Sequence, residues 1–599
     1  MISNTKHTVN IIKQLELMAN KLRIHSLEST AEAGSGHATS CLSCAEIMSC
    51  LFFSVLDKND EFILSKGHAA PILWAALAEA GCFPKDELKN LRKLGSFLEG
   101  HPTARMPWVK VATGSLGQGL SAGVGMALAK KLKDDDGEVY VLLGDGECAE
   151  GSVWEAANSA AYYNLDNLCA IIDVNGLGQS EKTMHGHNLE KYKKKFEAFG
   201  WSSIIADGHS VKDILSVLKN AKKLSKKPLV IIARTVKGKG VSFLENKEGW
   251  HGKAPKKDEL AIALKEIGPA DIELTSRFEC PKRASSNFID FKLNDYNLGD
   301  MVATRAAYGK ALVNLGEKNN DAVVIDGDVK NSTMTEYFFE KFPERSFQSF
   351  IAEQNMVGMA VGFSAMGLNP FVATFSCFLS RAHDFIRMAQ YSFANIKFAG
   401  SHSGISIGQD GPSQMGLEDI PMFLNIPGAV VLYPADAVST EYLVKETAAF
   451  KGISYLRTTR EKTKVIYKNG EKFPLGGFKV WGGSNDDKAL VIAAGITLHE
   501  ALKAQEILKE RNFPIRVVDL YSLKPIDEEG LMKEAKECNN NVVVAEDHYC
   551  SGMGFVVSMV LGKIKNLCVK KMPESGKPEE LMKKYGIDAD AIIKAIINN

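Results

Sequence analysis

The stretch EVYVLLGDGECAEGSVWE, Glu138 to Glu155, sets an apolar run, Val139 to Leu143, directly against Gly144-Asp145-Gly146. An acid held between two residues without side chains admits two readings. Glycine tolerates positive φ and aspartate hydrogen-bonds its own backbone, so a plain strand-ending turn accounts for it. Alternatively, the glycines let the chain approach a phosphorylated ligand while Asp145 offers a hard oxygen to a divalent metal. The rest of the chain decides between them.

Outward from this stretch, VYVLLGDG is followed by a helical segment around Trp154 to Tyr163, then LCAIIDVNG, and later PLVIIARTVKG. That alternation predicts a parallel sheet with helices on both faces. Upstream, Ile11, Leu15, Met18 and Leu22 recur at helical spacing, so the chain opens with an amphipathic helix. From Lys253 to Gly299 the strand signal fades into polar, proline-punctuated sequence with a helix around Asp258 to Ile267, which reads as an interdomain linker. The pattern restarts at DAVVIDGDVKNS, Asp321 to Ser332, an echo of the opening stretch. A third block near Lys488, with ALVIAAG, a helix over Leu498 to Glu510 and IRVVDL, forms a βαβ unit. The expectation is an α/β protein of three domains, the first two distantly related.

Bulk properties narrow the functional classes. With 599 residues the chain exceeds what one core can organise. Its 72 basic and 72 acidic residues balance, so no global field recruits nucleic acid or an anionic membrane. The 11 scattered cysteines form no regular framework, which suits a reducing compartment. Cys41-Leu42-Ser43-Cys44 lacks a second pair at zinc spacing and sits in a helix-like stretch. Neither a leader-like start nor an apolar run of membrane-spanning length occurs, so a cytoplasmic protein is expected.

In an open parallel sheet, ligands bind outside the carboxyl ends of the strands, where Asp145 falls. The next strand ends at Asn175, thirty residues on. Two adjacent strand ends thus aim a carboxylate and an amide oxygen at one cation. With the Leu177 carbonyl, two phosphate oxygens and a water, the shell is of the six-oxygen magnesium type. GDG followed by Asn at this distance resembles the thiamine-diphosphate signature. Around it AGSGHATSCLS, ILSKGHAAP, GHPTARMPWVKVATGSLGQGL, WHGK, IAEQNMVG and GSHSGISIGQDGPSQ appear in the order of transketolases of the animal type, and the resemblance covers nearly the whole chain.

The resemblance implies a diphosphate- and metal-binding domain over residues 1–282, a linker over 283–300, a pyrimidine-binding domain over 301–472 and a C-terminal domain over 473–599. It implies thiamine diphosphate with magnesium, calcium or manganese as cofactors, sugar phosphates as substrates, and a homodimer whose active sites form between subunits. Asp145, Asn175 and Leu177 match its metal ligands. Ser40, His68, Gly114, Ser115, Leu116, Gly146, Lys237 and His251 match positions around the cofactor. Lys237, in TVKGKG at a strand end, is also placed by its own surroundings to meet a phosphate.

Glu353 in IAEQNMV is the expected key residue. A carboxyl group hydrogen-bonded to the far ring nitrogen drives the tautomerisation by which the cofactor's own amino group removes a thiazolium proton. Met356, Val357 and Met359 would desolvate it. Phe375 and Phe378, three apart, are expected on one side of a helical turn; the resemblance puts them, with Gln414, against the aminopyrimidine. The resulting carbanion attacks a ketose carbonyl, and cleavage then needs a base near neutrality. His37, His101 and His251 in the glycine-flanked GSGH, EGHP and WHGK are the candidates, His37 and His251 by resemblance at the donor's oxygen functions, His101 and His402 at the two-carbon unit. Arg305, Ser332, His402 and Arg460 match a phosphate-binding set, for which arginine supplies a planar donor fork, and Asp410 a donor hydroxyl.

The last domain offers no catalytic cluster, and Glu546-Asp547-His548 reads as structural. Between LFFSVL and EFILSKGH only Asp57 to Asp60 intervene, where relatives carry about ten more residues in a loop expected near the cofactor entrance. Rival readings are deoxyxylulose-phosphate synthase, a dihydroxyacetone-transferring relative, and a catalytically impaired paralogue acting as an interaction protein.

Overall fold

A computed structural model describes residues 2–224, 226–279 and 284–598, excluding the side chains of 2–9 and 220–224. The first sheet contains β1 (Glu61–Leu64), β2 (Val139–Gly144), β3 (Leu168–Val174), β4 (Ser202–Asp207) and β5 (Leu229–Arg234), all parallel, in the order β1-β2-β3-β5-β4. Every residue of β2 and β3 is buried, as expected of strands covered on both faces. Each large aliphatic side chain so buried stabilises the fold by about 1.5–3 kcal/mol. The opening helix, Ile2–Ala33, buries Leu15, Met18 and Leu22 completely.

After β6 (Met301–Ala303), the second sheet comprises β7 (Ala322–Asp326), β8 (Ser346–Gln348), β9 (Asn369–Phe375), β10 (Lys397–Ser401), β11 (Val430–Leu432) and β12 (Ser454–Arg457). β13 (Lys462–Lys464) pairs antiparallel with β6. The third sheet has β14 (Lys479–Trp481), β15 (Leu490–Ala493), β16 (Arg516–Asp519), β18 (Val542–Tyr549) and β19 (Lys565–Val569), in the order β14-β16-β15-β18-β19 with only β14 antiparallel. β17 (Ser522–Lys524) leaves that region to pair antiparallel with β11 at the edge of the second sheet. The chain is therefore α/β with three mainly parallel sheets. It divides into two compact units: residues 1–285 with 357–367 and 391–393, and 286–356 with 368–390 and 394–599.

The second sheet runs β17-β11-β12-β10-β9-β7-β8. Without β8 and β17, its parallel strands β7, β9, β10, β12 and β11 repeat the order of β1, β2, β3, β5 and β4. The first two sheets thus share a topology, but the sequence echo is not its trace. DAVVIDGD forms β7, the counterpart of β1, whereas VYVLLGDG forms β2, the counterpart of β9.

Asp57–Asp60 are not near the end of β2 that carries Asp145. They precede β1 at the amino end of the sheet, where Asp60 Oδ1 accepts a hydrogen bond from the Glu138 amide (2.8 Å) and Oδ2 one from that of Asp57 (3.0 Å). A cavity of about 450 Å³ lies there, lined in part by Lys58, Asp136 and Arg277. Shortening this turn leaves the carboxyl ends untouched, because the strands stand between the two edges.

Cys41 and Cys44 are buried free thiols, with Cys41 Sγ donating to the Ala69 carbonyl (3.7 Å) and Cys44 Sγ to that of Ser40 (3.5 Å). Cys82 is disulfide-bonded. No described helix is long and apolar enough to cross a membrane.

In the first unit the helix Gly119–Leu132 approaches the chain at Met359 so closely that a Cβ on Gly125 would lie 2.1 Å from the Met359 carbonyl oxygen. Helix propensity alone makes Gly125→Ala stabilising by about 1 kcal/mol. Backbone contact reverses the sign: the variant is expected to unfold at lower denaturant, losing about 1–3 kcal/mol, read from the urea midpoint.

Candidate active site

Asp145 and Asn175 stand one residue beyond β2 and β3, each only 5% exposed. Asp145 Oδ2 accepts from the Gly176 amide and the Thr183 hydroxyl, both at 2.8 Å, and Oδ1 from the Gly146 amide at 2.9 Å. Burial, with the nearby Asp173 charge, pushes its carboxyl up against these bonds. Among the described residues no lysine or arginine pairs with it. The Leu177 carbonyl oxygen already faces a cation, accepting from Lys237 Nζ at 2.8 Å, with the Gly178 carbonyl at 3.0 Å. A buried carboxylate without a countercharge, an amide oxygen and a carbonyl form a hard-oxygen donor set, which fits a small divalent cation. The described residues hold no cluster of three or more histidine, cysteine or acidic side chains for a metal, so phosphate and water oxygens would complete the shell.

Around this corner the first unit gathers the expected histidines. The His37 ring centroid lies 5.3 Å from that of His68, 5.8 Å from His101 and 5.1 Å from His251, and His68 lies 5.0 Å from His251. Lys237 Nζ stands 2.6 Å from His251 Nδ1. Ser40, in the helix Ala38–Ser43, is buried with its hydroxyl unpartnered, as is His37 Nδ1. Such orphaned buried polar atoms mark a place where a polar ligand completes the bonding. Gly114, Ser115 and Leu116 form the turn before the helix Gly119–Leu132. Gly114 has φ +131°, and a Cβ there would meet the His101 ring at 2.9 Å, so only glycine allows this approach.

Electrostatics keeps these rings neutral. Burial, then His101, Arg92 and Lys237, lowers His37 to about 4. Burial, then Lys237 and His37, lowers His251 to about 3. Burial and Arg92 also lower His101, and His68 falls well below the ordinary histidine value through burial and Lys66. Lys237 itself is lowered to about 8 by burial and Lys66.

The second unit assembles the other candidates. Glu353 begins the helix Glu353–Ala365, is buried, and has Arg381 Nη1 at 3.7 Å from Oε1. Phe375 ends β9 rather than lying on a helical turn, yet its ring stacks on Phe378 (5.2 Å, 6° between planes) and on His402 (3.8 Å, 10°). The Gln414 carbonyl accepts from Cys377 Sγ at 3.5 Å, placing that loop beside the two phenylalanines. Arg305 Nη1 donates to the Ser332 carbonyl at 2.8 Å, and Arg460 Nη1 pairs with Asp410 Oδ2 at 2.8 Å. Burial, then Arg305 and Arg460, lowers His402 to about 3. The four phosphate-set residues are therefore neighbours. Glu546, Asp547 and His548 are buried in a packing network: Asp547 accepts from the Ile405 and Ser406 amides, and His548 Nε2 lies 3.3 Å from Asp419, which also pairs with Arg457.

Sequence reading missed four groups of this site: Lys66, Asp173, Glu147 and Arg92. Lys66 and Asp173 form a wholly buried ion pair. Glu147 accepts from Ser65 Oγ (2.5 Å) and from the Gly117 (2.8 Å) and Gly144 (3.0 Å) amides, tying the glycine turns together. Arg92 supplies positive charge beside His37 and His101. Lys66 lies inside the quoted ILSKGHAAP and Asp173 two residues before Asn175, so adjacency to the motifs was the available signal.

A buried acid–amide pair at parallel strand ends, beside a turn that only glycine can form, is the setting of an enzyme site for a metal-bound phosphorylated ligand. Family comparison agrees along the chain: residues 14–297 match the transketolase thiamine diphosphate binding domain, 300–465 the transketolase pyrimidine binding domain, and 483–592 the transketolase C-terminal domain. The chain belongs to the transketolase family, and so is a transferase. It is 46% identical to transketolase of Homo sapiens over 608 aligned positions, covering 98% of this chain and 97% of that protein, and equally so to transketolase-like protein 2 of Mus musculus, with the same coverage. Among solved structures, transketolase of Campylobacter jejuni superposes with a TM-score of 0.89 at 25% identity, covering 98% of this chain and 100% of that one.

The neutral imidazoles have a thermodynamic signature. A histidine lowered on folding contributes stability that is complete above its unfolded value of about 6.5 and is lost as pH falls toward its folded value, here about 4 for His37. Cofactor-free protein carrying His37→Gln is therefore expected to lose less stability between pH 7 and pH 4 than the unaltered chain. The difference is on the order of 1 kcal/mol after solvent screening, measured by denaturant titration at each pH.

Proposed function

We propose that the chain transfers a two-carbon ketol unit reversibly from a ketose phosphate such as xylulose 5-phosphate to an aldose phosphate such as ribose 5-phosphate or erythrose 4-phosphate. The observation that carries this reading is the cluster of four neutral imidazoles beside the Asp145–Asn175 corner. Sugar chemistry of this kind moves protons on and off hydroxyl groups, and an imidazole held neutral offers an unprotonated ring nitrogen to accept one.

Thiamine diphosphate, when bound, supplies the nucleophilic thiazolium carbon and the electron sink for carbon–carbon cleavage. Asp145, Asn175 and the Leu177 carbonyl would hold magnesium, calcium or manganese. Ser40, His68, Lys237 and the Gly114–Leu116 and Gly146 backbone would hold the diphosphate. Glu353 would offer its carboxyl group to the pyrimidine, and Phe375, Phe378 and Gln414 would seat that ring. His37 and His251 accept and return the proton of the donor hydroxyl, while His101 and His402 orient the two-carbon unit. Asp410 receives a donor hydroxyl; Arg305, Ser332, His402 and Arg460 receive the sugar phosphate, where the planar guanidinium forks match phosphate oxygens.

We read the domains as 1–282, 301–472 and 473–599, joined over 283–300, and the assembly as a homodimer with active sites between subunits. Exposed Phe350, Ile351 and Phe393 are the kind of apolar surface that pairing covers. The setting we infer is the cytoplasm and the pentose phosphate pathway, in keeping with nine free thiols among the described residues.

Purified protein given thiamine diphosphate, magnesium, xylulose 5-phosphate and ribose 5-phosphate is expected to form sedoheptulose 7-phosphate, and to form nothing from pyruvate with glyceraldehyde 3-phosphate. Deoxyxylulose 5-phosphate in the second reaction would reassign the activity. Glu353→Ala is expected to lower kcat by 10²–10⁴; turnover within a factor of three of the unaltered enzyme would remove its role.

A further inference from the structure

Asp173 is fully buried and lies two residues before Asn175, so both side chains leave the strand end on the same side. Its Oδ2 receives Lys66 Nζ, Ser43 Oγ (2.6 Å) and Asn175 Nδ2 (3.3 Å), and its Oδ1 receives Thr235 Oγ1. These donors come from the end of β1, the helix Ala38–Ser43, the residues after β3 and the end of β5. Lys66 Nζ donates in addition to the Ser40 carbonyl at 3.0 Å, so the ammonium is tied to both the acid and the helix.

A carboxylate carries no hydrogen to donate. The Asn175 amide must therefore present nitrogen to Asp173, which turns its oxygen away, toward the Leu177 amide at 3.2 Å, the residue after the Gly176 amide that Asp145 receives. The reversed amide would set two oxygens against each other in a buried corner, where the repulsion is strong. Groups that bond the far side of a metal ligand fix its orientation, and losing one costs 10–100-fold in metal affinity.

We propose that Asp173, anchored by Lys66, is a positioning residue that fixes which atom of the Asn175 amide faces the metal. The inference rests on the metal site proposed above. Lys66 prevents Asp173 from being an isolated buried charge, and Thr235 and Ser43 leave it no second orientation. The role is exerted through Asn175, with no contact between Asp173 and substrate.

The test is a double-mutant cycle read by Mn²⁺ binding, followed by electron paramagnetic resonance at saturating thiamine diphosphate, with no turnover required. Asp173→Leu, which removes the acceptor, is expected to raise the Mn²⁺ dissociation constant 10–100-fold, and this loss should shrink to under threefold in an Asn175→Ala background. Equal losses in both backgrounds, or a change below twofold with only a lowered thermal midpoint, would make Asp173 a purely structural acid and overturn the proposal. If Asp173→Leu alone does not fold, the same cycle is run from Lys66→Met/Asp173→Leu, which removes both charges together. Unaltered protein that binds no Mn²⁺ with thiamine diphosphate would overturn the metal site itself, an outcome distinct from an additive cycle.

Discussion

A parallel strand covered on both faces has no room for an ionised group along its length, and this constraint arranges the chemistry of the first unit. Charged and polar side chains collect where β1, β2, β3 and β5 run out, and there they must satisfy one another. Asp145 and Asn175 follow five- and seven-residue stretches that are almost entirely apolar. Asp173, the acid at the end of β3, is matched by a lysine, two hydroxyls and an amide. The glycines of GSLGQG then bring the chain against the His101 ring, Ser152 and Ser65 at distances that a Cβ would block. The site is thus the polar margin of a sheet whose central strands, β2 and β3, are apolar along nearly their whole length.

Much of this was legible in the sequence because the deciding signals are local. Apolar runs named β2, β3, β5, β7, β15 and β16. The thirty-residue interval from Asp145 to Asn175 measured one strand–helix–strand turn. The family motifs placed four histidines, three of which (His68, His101 and His251) the fold brings within 6 Å of the fourth, His37. The order of strands in a sheet is set by long-range packing, which leaves no local mark, so the DGD echo paired β2 with β7 although the shared topology pairs it with β9. For the same reason the short Asp57–Asp60 turn could not be assigned to an edge of the sheet from its neighbours alone.

The second unit shows what spacing can and cannot say. Phe375 and Phe378 stack as expected of a ring-binding pair, but one belongs to a strand and the other to the turn after it. The contact survives because both geometries bring residues three apart within reach. Asp326, whose DGD setting resembled that of Asp145, accepts hydrogen bonds from Val329, Thr333 and Thr335 and serves its own turn. Equal motifs at unequal strand positions therefore do different work. Lys66 and Asp173 stood beside the motifs, but their pairing was not legible because a buried ion pair is recognisable only when both partners are placed.

Four imidazoles joined through His37, with Lys66, Lys237 and Arg92 beside them, also set a limit on proton storage. The first proton to settle on any ring raises the electrostatic cost of a second, since each ring lies within about 6 Å of another. The cluster is a vessel of unit capacity: it lends or borrows one proton and resists accumulating more. A reversible exchange between two sugars asks for that economy, because the proton taken when one bond breaks is the proton owed when the next one forms.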